Sequence, residues 1–472
     1  MLAPGRSRAP QLVLVLALSA CSSTLSPPDL GGIYDRAASD HTGQRNPVIL
    51  IPGILGSNLI ERSTGRVVWG AFKGNYARPG DPEDLRLIAH PMLSGVSRND
   101  QLQLLRDDVV QNGALDTIKL SFLGLPLGVR AYVNILGALG VGGFRDQQLG
   151  LAGVIDYGSD HFTCFQFAYD WRRDLSETAR ELHEFIVERE AYVRAEYEKR
   201  GLPTDELKFD IVAHSMGGLV LRYYLRYGPA LLPEDGSLPE LNWAGTQYVD
   251  RAVLVGTPNA GAIGAFHELV EGVDFGPFLP NYPGPLLSTM PAVYQLLPRT
   301  RHGAWKDIED DPRDVETWKR MGWGLLDPRQ EETLAKLLPL ATPSQRQVIA
   351  YAHTQKCLER AEQLQRALDI PAKPPSGVEL ILAAGDAKDT PARAYIGDQG
   401  RIAGFDWEPG DGVVLRSSAL MDERLDGAWQ ARLRSPIHWS QVMFYFEDHL
   451  GLTQAPAFID NLLFLLLEAP GF

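Results

Sequence analysis

The chain has 472 residues, 44% of them hydrophobic and 22% charged. Those are ordinary globular proportions, and they exclude a collagenous, a largely disordered or a polytopic membrane protein. The net charge of -14 argues against nucleic acid as a partner, because phosphate binding needs a basic face, and three cysteines are too few for a disulfide scaffold. At about 150 residues per domain, the length allows about three domains or one large fold with insertions.

The first residues read as an address. Arg6 and Arg8 precede the apolar run Leu12 to Leu18, which is too short to span a bilayer. The run ends in Leu18-Ser19-Ala20-Cys21, which resembles a bacterial lipoprotein box. The expectation is a signal peptide over 1–20, cleavage before Cys21 and acylation of its thiol, and hence an exported, membrane-anchored protein, in the outer membrane if the host is Gram-negative. The alternative is an ordinary secretion signal. Residues 21–46, polar and rich in Ser, Pro and Gly, read as the lipidated cysteine and a flexible tether. Export leaves Cys164 and Cys357 either paired or as two buried thiols.

The globular part, 47–472, opens on Pro47 to Ile51, a short apolar run suited to a buried parallel strand. Further strands are predicted at 161–167, 208–212, 249–255, 378–383 and 441–446. Helices are predicted at 174–200, with Asp174 or Ser176 near the cap, at 216–227, within 330–370, and at 456–468. This alternation predicts an α/β fold with a mostly parallel sheet, interrupted at about 58–160 and 260–376. Gly137 to Gly143 has the look of a phosphate loop, but it has no clean preceding strand and no Gly-Lys-Ser/Thr ending.

The strongest local signal is Ala213-His214-Ser215-Met216-Gly217-Gly218 between a strand and a helix. It fits a nucleophile elbow, with Ala213 replacing the first glycine of G-x-S-x-G. Small neighbours are needed because the serine sits on a strained turn, and the helix that follows points its N–H groups at developing negative charge. A serine hydroxyl cannot attack unaided, so it needs a neutral imidazole and an acid to orient that imidazole. The acid side of neutrality should therefore suppress activity, since histidine ordinarily titrates near about 6.5. The hydrolase order Ser, acid, His points to His449, after the last strand. His438 precedes that strand, and His214 is too close in sequence to fold back onto Ser215. Asp386 and Asp411 both remain open as the acid. His267-Glu268 lacks the second histidine of a zinc motif, so no metal or cofactor is predicted.

Seven segments in order then resemble the lecithin:cholesterol acyltransferase family: PVILIPGILGSNL from Pro47, Tyr169-Asp170-Trp171-Arg172, AHSMGG at 213–218, GTPNAGA at 256–262, MPAVYQLLP at 290–298, PGDGVVLRSS at 409–418 and HLGLT at 449–453. The resemblance implies an α/β-hydrolase fold with cap, lid and membrane-contact insertions. It implies Asp411 as the acid, although Val413 replaces the usual threonine, and it implies backbone N–H groups of Met216 and Leu55 as oxyanion donors. The implied activity is transfer of an acyl group from a phospholipid or related ester to water or an alcohol, with a lipid surface as partner; the alternatives are an esterase or triacylglycerol lipase that uses only water, and an inactive lipid-binding lipoprotein that keeps the fold. Trp69, Phe72 and Tyr76 are candidates for lipid contact or for packing. Tyr169 to Arg172 is expected to be a structural corner in which Asp170 and Arg172 pair.

Overall fold

The computed structural model describes residues 28–40, 45–70, 75–93, 101–114, 118–122, 125–129, 131–205, 207–274, 280–425 and 430–469. The expected signal peptide over 1–20, Cys21 and Phe72 lie outside them. Six strands form one fully parallel sheet: β1 (Val48–Ile51), β2 (Cys164–Gln166), β3 (Phe209–His214), β4 (Val249–Val255), β5 (Glu379–Gly385) and β6 (Gln441–Tyr445). Their order across the sheet is β6-β5-β4-β3-β1-β2.

The continuous apolar runs are explained by burial on both faces. Side chains alternate along a strand. In β1, Ile49 and Ile51 join the larger core while Val48 and Leu50 join the smaller one. The larger core is closed by helices α3 (Leu175–Arg200), α4 (Met216–Tyr227) and α5 (Pro343–Asp369), and the smaller by α2 (Ala131–Val141) and α6 (Pro456–Leu467). This is the α/β-hydrolase architecture. Among the described residues no helix is long and apolar enough to cross a membrane.

Several elements differ from the sequence expectation. The strand expected over 161–167 is only Cys164–Gln166. Gly137 to Val141 close helix α2, in keeping with the rejection of a phosphate loop there. The expected tether contains a helix, α1 (Leu30–Ala38), capped by the Asp29 side chain, which accepts from the Gly32 N–H. The Tyr34 ring is buried and its hydroxyl donates to Asp460 of α6, while Arg45 donates to the carbonyls of Ala37, Gly142 and Gly143. Contact with α2 and α6 thus turns part of that segment into a strap. Cys164 in β2 and Cys357 in α5 are both free and buried, in different cores. Asp174 caps α3 by accepting from the Ser176 N–H.

The interruption at 58–160 falls between β1 and β2, and that at 260–376 between β4 and β5. A third excursion was not expected. Lys388–Ile396 and Ile402–Gly410 form an antiparallel hairpin between β5 and β6, pairing Lys388 with Gly410.

Candidate active site

Parallel strands bring their carboxyl ends to one edge, and there the loops after β1, β3, β4, β5 and β6 converge. Ser215 joins β3 directly to α4 at φ 54°, ψ -126°, a conformation that side-chain-bearing residues rarely adopt. Neighbours hold it there: the Ser215 N–H donates to Val255 O at 2.8 Å. Two glycines are required by close approach. A Cβ on Gly217 would lie 2.5 Å from the Pro52 carbonyl oxygen, and one on Gly53 would lie 2.8 Å from the Ser215 Cβ.

The structure brings Ser215, His449 and Asp411 into one buried line. His449 Nε2 lies 3.0 Å from Ser215 Oγ, and His449 Nδ1 lies 2.7 Å from Asp411 Oδ2. A carboxylate only accepts, so Nδ1 carries the proton and Nε2 is left to accept from the serine. The two residues are also tied through the main chain, where the His449 N–H donates to Asp411 O at 2.9 Å. Asp411 Oδ1 accepts from the Val413 and Val414 N–H groups at 3.0 and 2.7 Å. These two backbone donors need no side chain at 413, so Asp411 Oδ1 is satisfied with valine there.

The rivals lie elsewhere. Asp386 pairs with Arg416, whose guanidinium covers the Phe444 ring. His438 is exposed ahead of β6, at the opposite end of that strand. Among the described residues, no group of three or more His, Cys, Asp or Glu side chains is arranged to hold a metal.

Met216 is the first residue of α4, where an N–H has no partner within the helix. Leu55 has φ 63° in the turn after β1. Three aromatic side chains hold that turn. The Tyr169 hydroxyl donates to Pro52 O at 2.9 Å, the Gly53 N–H donates to the Tyr132 hydroxyl at 2.8 Å, and Trp69 Nε1–H donates to Leu55 O at 2.9 Å. Trp69 is 2% exposed and packs edge-on against Trp171 and Tyr282, so its role is packing and not lipid contact. Tyr76 is half-buried beneath Arg78.

The corner at 169–172 is ionic. Arg172, fully buried, grips Asp170 with two bonds of 2.8 and 2.9 Å, reaches Asp107 at 2.9 Å and donates to Ala89 O at 3.0 Å. Tyr132 was not singled out from the sequence, and His214 was set aside. His214 Nδ1 lies 3.1 Å from the Tyr132 hydroxyl, and its Nε2 lies 3.1 Å from the carbonyl oxygen of His449. Complete burial pushes the His214 pKa down to about 3.

The α/β-hydrolase fold is shared with a chain of the crystal structure of the Tle4–Tli4 complex. The TM-score is 0.51 and the identity 15%, over 90% of this chain and 99% of that chain. At that identity the likeness speaks for the fold. The chain resembles the lecithin:cholesterol acyltransferase family, whose model matches residues 154–326. That stretch contains Ser215, whereas Asp411 and His449 lie beyond it. No curated protein matches.

Proposed function

We propose that this chain is a serine-dependent lipid acyl hydrolase or acyltransferase acting on phospholipid or related lipid esters. One observation carries the reading: the buried line from Ser215 Oγ through His449 to Asp411, with links of 3.0 and 2.7 Å. The family resemblance supplies the lipid substrate.

The chemistry follows from that line. Neutral His449 takes the proton from Ser215 Oγ as the oxygen attacks the ester carbonyl carbon. The carbonyl π pair moves to oxygen, and the oxyanion accepts from the Met216 and Leu55 N–H groups. Losing one such donor typically costs about 2.7–4 kcal/mol of transition-state stabilisation. Asp411 holds the Nδ1–H tautomer and stabilises the imidazolium. Collapse of the tetrahedral intermediate breaks the ester bond, and His449 gives its proton to the departing alcohol. An acyl group then remains on Ser215. Water or a second alcohol, deprotonated by His449, attacks that acyl group and regenerates the serine.

The insertions at 58–160 and 260–376 would supply lipid contact, cap and lid. Cys21, acylated, would hold the enzyme at a membrane. The test uses purified protein, phosphatidylcholine vesicles and product mass spectrometry, with and without an added long-chain alcohol. Wild type should release free fatty acid, and Ser215→Ala should release none. A transferred ester appearing with the alcohol marks an acyltransferase, and fatty acid alone marks a hydrolase.

A further inference from the structure

His214 and Tyr132 take no part in the proton transfers above, yet both are buried, His214 against His449 and Tyr132 against His214 and Gly53. Their hydrogen-bond directions are fixed by chemistry. The His449 carbonyl oxygen can only accept, so His214 Nε2 must carry the proton in the 3.1 Å contact between them. A neutral ring then has a bare Nδ1, which accepts from the Tyr132 O–H at 3.1 Å. The tyrosine oxygen in turn accepts from the Gly53 N–H at 2.8 Å. The result is one directed chain: Gly53 N–H to Tyr132, Tyr132 O–H to His214, His214 Nε2–H to His449 O.

The two ends of this chain matter. Gly53 N–H and Pro52 C=O belong to the same peptide plane, and Tyr169 donates to the far edge of that plane at 2.9 Å. Two tyrosine hydroxyls therefore clamp one peptide, two residues before Leu55. The other end grips the main chain of His449 itself. The His214 and His449 rings lie 4.8 Å apart between centroids. Full burial keeps His214 uncharged, as the directed chain requires.

We propose that Tyr132 and His214 are positioning residues that set the distance between the oxyanion turn after β1 and the histidine loop after β6. This rests on the acyl-transfer reading above. Neither side chain touches the reacting atoms. They fix where the Leu55 N–H stands relative to His449, so that proton transfer and oxyanion binding act on the same substrate carbonyl. Misplacement by about 1 Å costs on the order of a hundredfold in rate.

The test is a double-mutant cycle on the full chain, with p-nitrophenyl butyrate as substrate. Tyr132→Phe keeps the ring and removes only the hydroxyl, and should lower kcat by about ten- to a hundredfold with KM within about twofold and Tm little changed. His214→Leu should give a similar loss, and the double variant should be no worse than the poorer single, because one chain is broken once. Wild-type kcat in Tyr132→Phe, losses that multiply, or a loss expressed in KM or tracking a fall in Tm would overturn the proposal. If His214→Leu does not fold, Tyr132→Phe alone decides by the same kcat, KM and Tm criteria. A wild-type protein that neither cleaves the ester nor reacts with a fluorophosphonate would instead sink the acyl-transfer reading, a different failure.

Discussion

Asp411 shows how a single residue is fixed by structure that sequence spacing hides. Asp386 follows β5 directly, and the local sequence gave no reason to prefer the later aspartate. The hairpin 388–410 explains why Asp411 and not Asp386 stands beside His449. It leaves β5 and returns, pairing Lys388 with Gly410, so Asp411 emerges beside the strand end it had left. There a Cβ on Gly385 would sit 2.8 Å from the Asp411 Cβ. Asp411→Asn keeps the shape but lets an amide N–H face His449 Nδ1, favouring the wrong tautomer. Initial rates on a soluble ester should fall by about four orders of magnitude, as in other triads, with circular dichroism unchanged. Ser215 was legible because strand, small-residue turn and helix stand together in the chain. Tyr132 and His214 were not, because their chain of bonds joins residues 53, 132, 214 and 449 and no local pattern records it.

Elements were legible where both sheet faces are buried, as in β1 and β4, whose apolar runs have no other stable home. They were illegible where a tertiary contact decides. Helix α1 is short, carries Gly31 and Gly32, and owes its order to Tyr34 and Arg45 meeting α2 and α6. The corner at 169–172 was read correctly as an ion pair, and its depth sets a sharp expectation. Arg172→Met would leave Asp170 and Asp107 without their shared cation in a buried site. Breaking a buried pair in this way costs about 3–5 kcal/mol. Urea denaturation should show a midpoint lowered accordingly. An unchanged midpoint would mean that water reaches the corner.

At the scale of the whole molecule, pH acts through buried acids. Asp210, at the start of β3, accepts from Asn46 and from the Arg251 N–H, and burial raises its pKa from 3.8 to about 7 despite Arg251. An acid with a raised folded pKa holds its proton longer in the native state than in the unfolded one. Stability from this group is therefore complete below pH 3.8 and declines as pH rises to about 7, where the decline levels off. Glu181, raised to about 7 also by burial, acts in the same direction. Asp210→Asn should flatten part of that slope in denaturation midpoints measured between pH 4 and 8. An identical slope would remove Asp210 as its source. His214 stays neutral throughout this range, so an acid-side loss of activity is not its doing.

The strap changes the anchoring geometry as well. If Cys21 is acylated, the lipid is attached eight positions before Asp29, the cap of α1, and α1 already belongs to the globule. Eight Cα–Cα steps, fully extended, would span at most about 29 Å. Cys21→Ala should move the expressed protein from the membrane fraction to the soluble one or block its maturation, as read by fractionation and labelled palmitate. Unlabelled wild type recovered soluble would reduce the segment to a secretion signal.

The claim on which the rest depends is an acyl group carried by Ser215. Phosphatidylcholine is mixed with the protein, the reaction is quenched in acid within its first turnovers, and peptides are mapped by mass. The account expects one fatty-acyl increment on the peptide holding Ser215, none in Ser215→Ala, and accumulation of that species in a variant whose deacylation is slowed. Turnover of the phospholipid by Ser215→Ala at the wild-type rate, or a substrate-derived acyl group carried by another residue and absent from Ser215, would contradict it.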